Sequence, residues 1–118
     1  MLAQLGGDVV VNLVVKNTGN KTVFIDVAGI DFEGEMMYQN INHLHMFPKE
    51  LRSEESVVFE FNAIDVVKKL ESVGHANQRN IVAIVVDKLG RKYKSKSYKI
   101  KFGEIRTLQS VMDKNKFS

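Results

Sequence analysis

The chain has 118 residues, 44% hydrophobic and 26% charged, with no cysteine. That length and balance fit one globular domain with its own core, and the missing thiols exclude disulfides, Cys-based zinc sites and thiol catalysis. The formal net charge of +3 is unevenly spread: residues 1–87 hold 7 basic and 12 acidic side chains, residues 88–118 hold 10 and 2. Such a gradient steers anionic partners and does not bear on fold. No apolar run approaches the roughly 18 residues that a membrane-spanning helix requires, and "MLAQLGGDVVVNLVV" lacks the basic start of a secretory signal. The absence of cysteine is compatible with a cytoplasmic protein, and an N-terminal helix upstream would make it a membrane-anchored one.

The first strand signal is residues 9–16. Val9, Val11, Leu13 and Val15 share one parity, with Asn12 and Lys16 on the other, which is the pattern of a half-buried β-strand. Asn17-Thr18-Gly19-Asn20 supplies turn chemistry. Residues 21–32 resume the alternation through Val23, Ile25 and Val27, so the two segments are expected to form an antiparallel hairpin. Residues 33–39 add a short strand. Residues 40–55 read as loop, because Pro48 and the charged "KELRSEES" disfavour a strand. Residues 56–61 alternate again, with Val57, Phe59 and Phe61 inward.

In "NAIDVVKKLESVG" the period changes: Ile64, Val67 and Leu70 fall three apart. Asn62 is placed to cap free N–H groups, Asp65 lies in the first turn and Gly74 is a stop signal. This predicts a helix over about 63–73. Ile81 to Val86 is apolar on both parities, the mark of a central strand covered on both faces. Lys88-Leu89-Gly90-Arg91 then turns the chain into a lysine-rich strand, 92–102, closing a second hairpin. The tail, 104–118, has the spacing of a short helix that frays at its end, through Ile105, Leu108 and Val111 or Met112.

The order of elements predicts a mainly β protein: a single immunoglobulin-like antiparallel β-sandwich, core about 8–103, with one helix bridging its sheets and a C-terminal helix. It would form a single domain over 1–118.

The densest chemical signal is "GRKYKSKSYKIKF", residues 91–103, with six basic side chains between Arg91 and Lys101. Lys92, Lys94 and Lys96 share one parity, but Lys99 and Lys101 fall on the other. One inserted residue near 95–98, a β-bulge, would put all the lysines outward and Tyr93, Tyr98, Ile100 and Phe102 inward. Arg91, Lys92, Lys94, Lys96, Lys99 and Lys101 are therefore the candidate contacts for an anionic partner, while lysine on an exposed strand also discourages edge-to-edge pairing. A nucleic-acid surface would interleave exposed aromatics for stacking.

Other constellations carry less. His43, His45 and Met46, with Met36 and Met37, bring imidazole and thioether together, but spacing fixes no third ligand and methionine commonly fills gaps in a core. Ser53, Ser56, Ser72 and His75 lie in no strand–turn–helix nucleophile context. Gly6-Gly7 is followed by no phosphate-loop lysine. No catalytic, cofactor-binding or metal-ligating set is expected, nor a small-molecule substrate.

Three stretches, "VVKNTGNKTVFIDVAGIDFEG" (14–34), "FPKELRSEESVVFEF" (47–61) and "IVAIVVDKLGRKYKSKSYKI" (81–100), together resemble a broad group of small, mostly uncharacterised bacterial and phage-borne proteins. There an immunoglobulin-like sandwich often follows an N-terminal membrane helix and a linker. The shared pieces are turns, so the resemblance implies the fold and no reaction. It also implies either a soluble member or a domain whose anchor lies upstream. The functional expectation is a non-enzymatic interaction module for a macromolecule, with protein the leading partner. The alternative is an electrostatic binder of nucleic acid or an anionic membrane surface through 91–101.

Overall fold

Period-two alternation becomes strand in nine places among the residues that the computed structural model describes: 2–5, 8–32, 35–37 and 47–115. In chain order these are β1 (Leu2–Leu5), β2 (Asp8–Lys16), β3 (Val23–Phe32), β4 (Glu35–Met37), β5 (Lys49–Leu51), β6 (Ser56–Asn62), helix α1 (Ala63–Ser72), β7 (Gln78–Asp87), β8 (Lys92–Lys94), β9 (Tyr98–Lys101) and helix α2 (Phe102–Asn115). The fold is mainly β and every strand pair is antiparallel.

Two open sheets result. The smaller has the order β1-β2-β6. The larger is built on β3 and β7: β4 and β5 share the outer side of β3, while β8 and β9 share the outer side of β7. The expected hairpin of residues 9–16 with 21–32 does not form. β2 pairs with β1 and β6, and β3 pairs in the other sheet. Residues 17–22 thus cross between sheets, and residues 52–55 cross back. β1 and β5 were not foreseen either. β1 holds only four residues, and β5 is three residues after Pro48 that gain a ladder through β3 despite their charges.

One apolar cluster draws on both sheets and both helices. Val9, Val11, Phe59 and Phe61 come from the smaller sheet, Ile25, Ile30, Ile81 and Ile100 from the larger, Val67 and Leu70 from α1, and Ile105 from α2. Burying each of these removes apolar surface from water at about 25 cal/mol per Å². Helix α1 starts as predicted: the Asn62 side chain accepts the Asp65 N–H at 3.1 Å. It ends where Gly74 adopts φ 95° and the His75 N–H returns to the Leu70 carbonyl. α1 packs on β2, β6 and α2. α2, which begins directly after β9, lies against β2 and β9 and so touches both sheets. It also completes the smaller sheet: where β6 gives way to α1, the Val9 N–H donates to Gln109 Oε1 at 3.0 Å.

Asn17 fastens the two crossings together. Its amide donates to the Lys21 and Leu51 carbonyls at 2.7 and 2.9 Å, and its oxygen accepts the Gly19 N–H at 3.0 Å. Its backbone exchanges bonds with Glu54 and Glu55, and the Ser53 hydroxyl donates to the Gly19 carbonyl. Asn17→Ala leaves the Lys21 and Leu51 carbonyls and the Gly19 N–H without their side-chain partner, and a loss of about 2 kcal/mol is expected in urea unfolding. Thr18→Ala, on the exposed side of the same crossing, is expected to change stability by less than about 0.5 kcal/mol.

Candidate functional site

The lysine strand is two strands. Across β7, Lys92, Tyr93 and Lys94 stand opposite Val86, Val85 and Ile84, whereas Tyr98, Lys99, Ile100 and Lys101 stand opposite Ile81, Asn80, Arg79 and Gln78. The second register is offset from the first by one residue, so a single residue is inserted between Lys94 and Tyr98. Ser95 secures the insertion. Its hydroxyl accepts the Ala83 N–H at 2.9 Å and donates to the Lys96 carbonyl at 2.8 Å, and its own N–H reaches the Ala83 carbonyl.

Directly paired residues of an antiparallel ladder point to the same side. Lys92 and Lys94 therefore share the side of Val86 and Ile84, and Lys99 and Lys101 share that of Asn80 and Gln78. All of these are even positions of β7, on the face away from the shared core. Tyr93, Tyr98 and Ile100 fall on the odd side with Ile81 and Val85, which belong to the core cluster. The four paired lysines are exposed, and among the described residues none has a carboxylate within ion-pair distance. Lys88 joins them on the outer face, with its ammonium 5.7 Å from the Phe24 ring centroid. Lys96 is exposed within the inserted segment, where no ladder pairing fixes its face. Tyr93 and Tyr98 are not sealed in: both lie at the margin of the core and remain partly exposed.

Arg91 stands apart from the lysines. Its Nε donates to Asp87 Oδ2 at 2.7 Å. Asp87, only 2% exposed, ends β7 and collects the whole turn: Oδ1 accepts the Leu89 and Arg91 N–H groups, and Oδ2 also accepts the Tyr93 hydroxyl. Burial pushes the Asp87 carboxyl up. The hydrogen bonds from the Arg91 backbone, the Tyr93 hydroxyl, the Arg91 side chain and the Leu89 backbone outweigh it, and its pKa lies below the usual carboxylate value. The same bonds raise Tyr93 and Arg91.

Beside this turn lies a cleft of about 510 Å³, walled on the far side by the 17–22 crossing. No sequence signal singles it out, because its lining comes from Val15, Val23, Leu51, Val85, Arg91 and others far apart in the chain. The histidine–methionine loop, with His43, His45 and Met46, lies outside the described residues. The Ser53 and Ser72 hydroxyls each donate to a backbone carbonyl, and among the described residues there is no cluster of His, Cys, Asp or Glu suited to a metal ion. Nor, among them, is any helix long and apolar enough to cross a membrane.

Comparison with family models, with curated proteins and with solved structures finds no match to this chain. What the coordinates define is a class by architecture: two open antiparallel sheets around one core, with a basic outer face on the larger.

Asp87 has a depressed folded-state pKa, so its stabilising effect is full above the unfolded value near pH 4 and is lost as pH falls through the folded value. Asp87→Ala is expected to lower the melting temperature by several degrees at pH 7, and by progressively less as the pH falls below about 4. Thermal melts of both proteins across that range check this.

Proposed function

We propose that this protein is a non-enzymatic interaction module that holds an acidic protein surface against the outer face of its larger sheet. The observation that carries the reading is the ladder register: one inserted residue places Lys92, Lys94, Lys99 and Lys101, separated in parity along the sequence, on a single face. With Lys88 they form a field of exposed cations at the end of the chain that holds most of the excess positive charge. Such a field raises encounter rate and sets orientation more than it raises affinity.

A sandwich of immunoglobulin-like architecture fits the scaffold, supported by two antiparallel sheets that contribute to one core. Binding by addition of a further strand at β8 and β9 is disfavoured, because the Ser95 insertion interrupts the ladder edge. An acidic protein is favoured over a nucleic acid because Tyr93 and Tyr98 lie on the opposite side from the lysines, and the Phe24 ring on the outer face already carries the Lys88 ammonium.

The double variant Lys94→Glu/Lys99→Glu is expected to lose retention on immobilised polyglutamate at low salt. Lys68→Glu/Lys114→Glu has the same net charge with its changes on the helices, and is expected to keep most of it. Equal loss in both would mean that only net charge matters and would remove the face from consideration. Tighter retention on single-stranded DNA than on polyglutamate, abolished by the first variant alone, would replace the protein partner with a nucleic acid.

A further inference from the structure

The cleft beside the β7–β8 turn is independent of the lysine face, and its construction points to a ligand. Among the described residues two polar or charged side chains are buried, Asn17 and Asp87. Asn17 lines this cleft, and Asp87 lies behind it and holds three residues that line it, Leu89, Arg91 and Tyr93. Asn17 locks the 17–21 turn to the Leu51 carbonyl. Asp87 locks residues 89–93. Both walls are thus set before anything binds, as small-molecule sites usually are, and the volume lies within the range of such sites.

The floor is apolar: Val15, Val23 and Leu51. At the mouth stand two large side chains exposed far more than their apolar character favours, Leu89 at 79% and Tyr93 at 46%. Cations flank them. Arg91 is committed to Asp87 only through Nε, its side chain remains 60% exposed, and among the described residues its terminal amino groups meet no acceptor. Asp87 holds the guanidinium in one orientation and leaves its outer edge, the two-donor fork that matches a carboxylate, unused. Lys21, an exposed residue, lines the cleft from the 17–22 crossing.

We propose that this cleft binds an apolar group carrying a single terminal carboxylate. The carboxylate sits on the outer edge of Arg91 with Lys21 as second cation, and the apolar part covers Val15, Val23 and Leu51 beneath Leu89 and Tyr93. Two sources share that chemistry: a free aryl- or alkyl-carboxylic acid, and the C-terminal residue of a peptide.

The test is an amide NMR titration of the whole chain with four probes: 3-phenylpropanoate, its primary amide, and an acetylated tetrapeptide ending in phenylalanine with its C-terminus free or amidated. Saturable shifts confined to residues 15–23, 51 and 85–93 are expected, with each carboxylate binding at least about tenfold more tightly than its amide. Lys21→Ala, which removes no side-chain bond to any described residue, should weaken the carboxylates several-fold and leave the amides unchanged. Arg91→Gln should cut the preference to the several-fold share that Lys21 supplies. Peptide affinity at least about tenfold above that of phenylpropanoate assigns a protein C-terminus as the source, and comparable affinity assigns a free acid. No saturable shift at roughly 10 mM, equal binding of acid and amide, or shifts confined to the lysine face would overturn the proposal.

Discussion

A polar side chain withdrawn from water must recover its hydrogen bonds from the protein, and Asn17 and Asp87 do so by gathering the backbone of the turns beside them. Neither turn is held chiefly by apolar packing, since the 17–22 crossing and the 88–91 turn are largely exposed. The first places β2 and β3 in different sheets; the second sends β7 back as β8. Both act at the same end of the molecule, where the Asn17 amide, bonded to the Leu51 carbonyl, ties the end of β2 to a strand of the other sheet. That end is where an open cleft survives, while the opposite end is closed by α1 and α2.

Legibility from the sequence follows the same division between local and non-local causes. β6, α1 and the β7–β8 hairpin are written locally: alternation in 56–61, the Asn62 cap, and the Asp-x-x-Gly-Arg turn each need only a few neighbouring residues. The insertion between Lys94 and Tyr98 was also legible, because charged and apolar residues exchange parity across it. A second insertion, at Asp26 in β3, was not. There the register shifts between Ile25 and Val27, which takes Val27 out to the side of Val86 and brings Ala28 and Ile30 into the core. Val27, Ala28, Gly29 and Ile30 are all apolar or small, so parity carries no signal. The sheet to which β2 belongs could not be read at all, since its pairing with β6 rests on fit between distant segments.

The two insertions flank the same strand. β7 keeps strict alternation while each neighbour adds one residue, and each addition corrects a sequence whose parity would otherwise bury charge or expose apolar groups. The lysine face and the core face of the larger sheet are complementary products of that correction. The candidate interaction surface was therefore legible once the slip in pattern was noticed. The cleft was not, because its walls meet only when two sheet crossings and a hairpin turn are brought together.

The partition of strands also has a consequence for biosynthesis. β2 emerges from the ribosome early, with four alternating apolar side chains, and its main partner is β6 rather than its neighbour β3. Until residues 56–62 have been made, only β1 is present to cover one edge of it. Gln109 of α2, which closes the bond to Val9, comes near the end of translation. The smaller sheet is thus a late assembly that waits on nascent chain made long after its central strand.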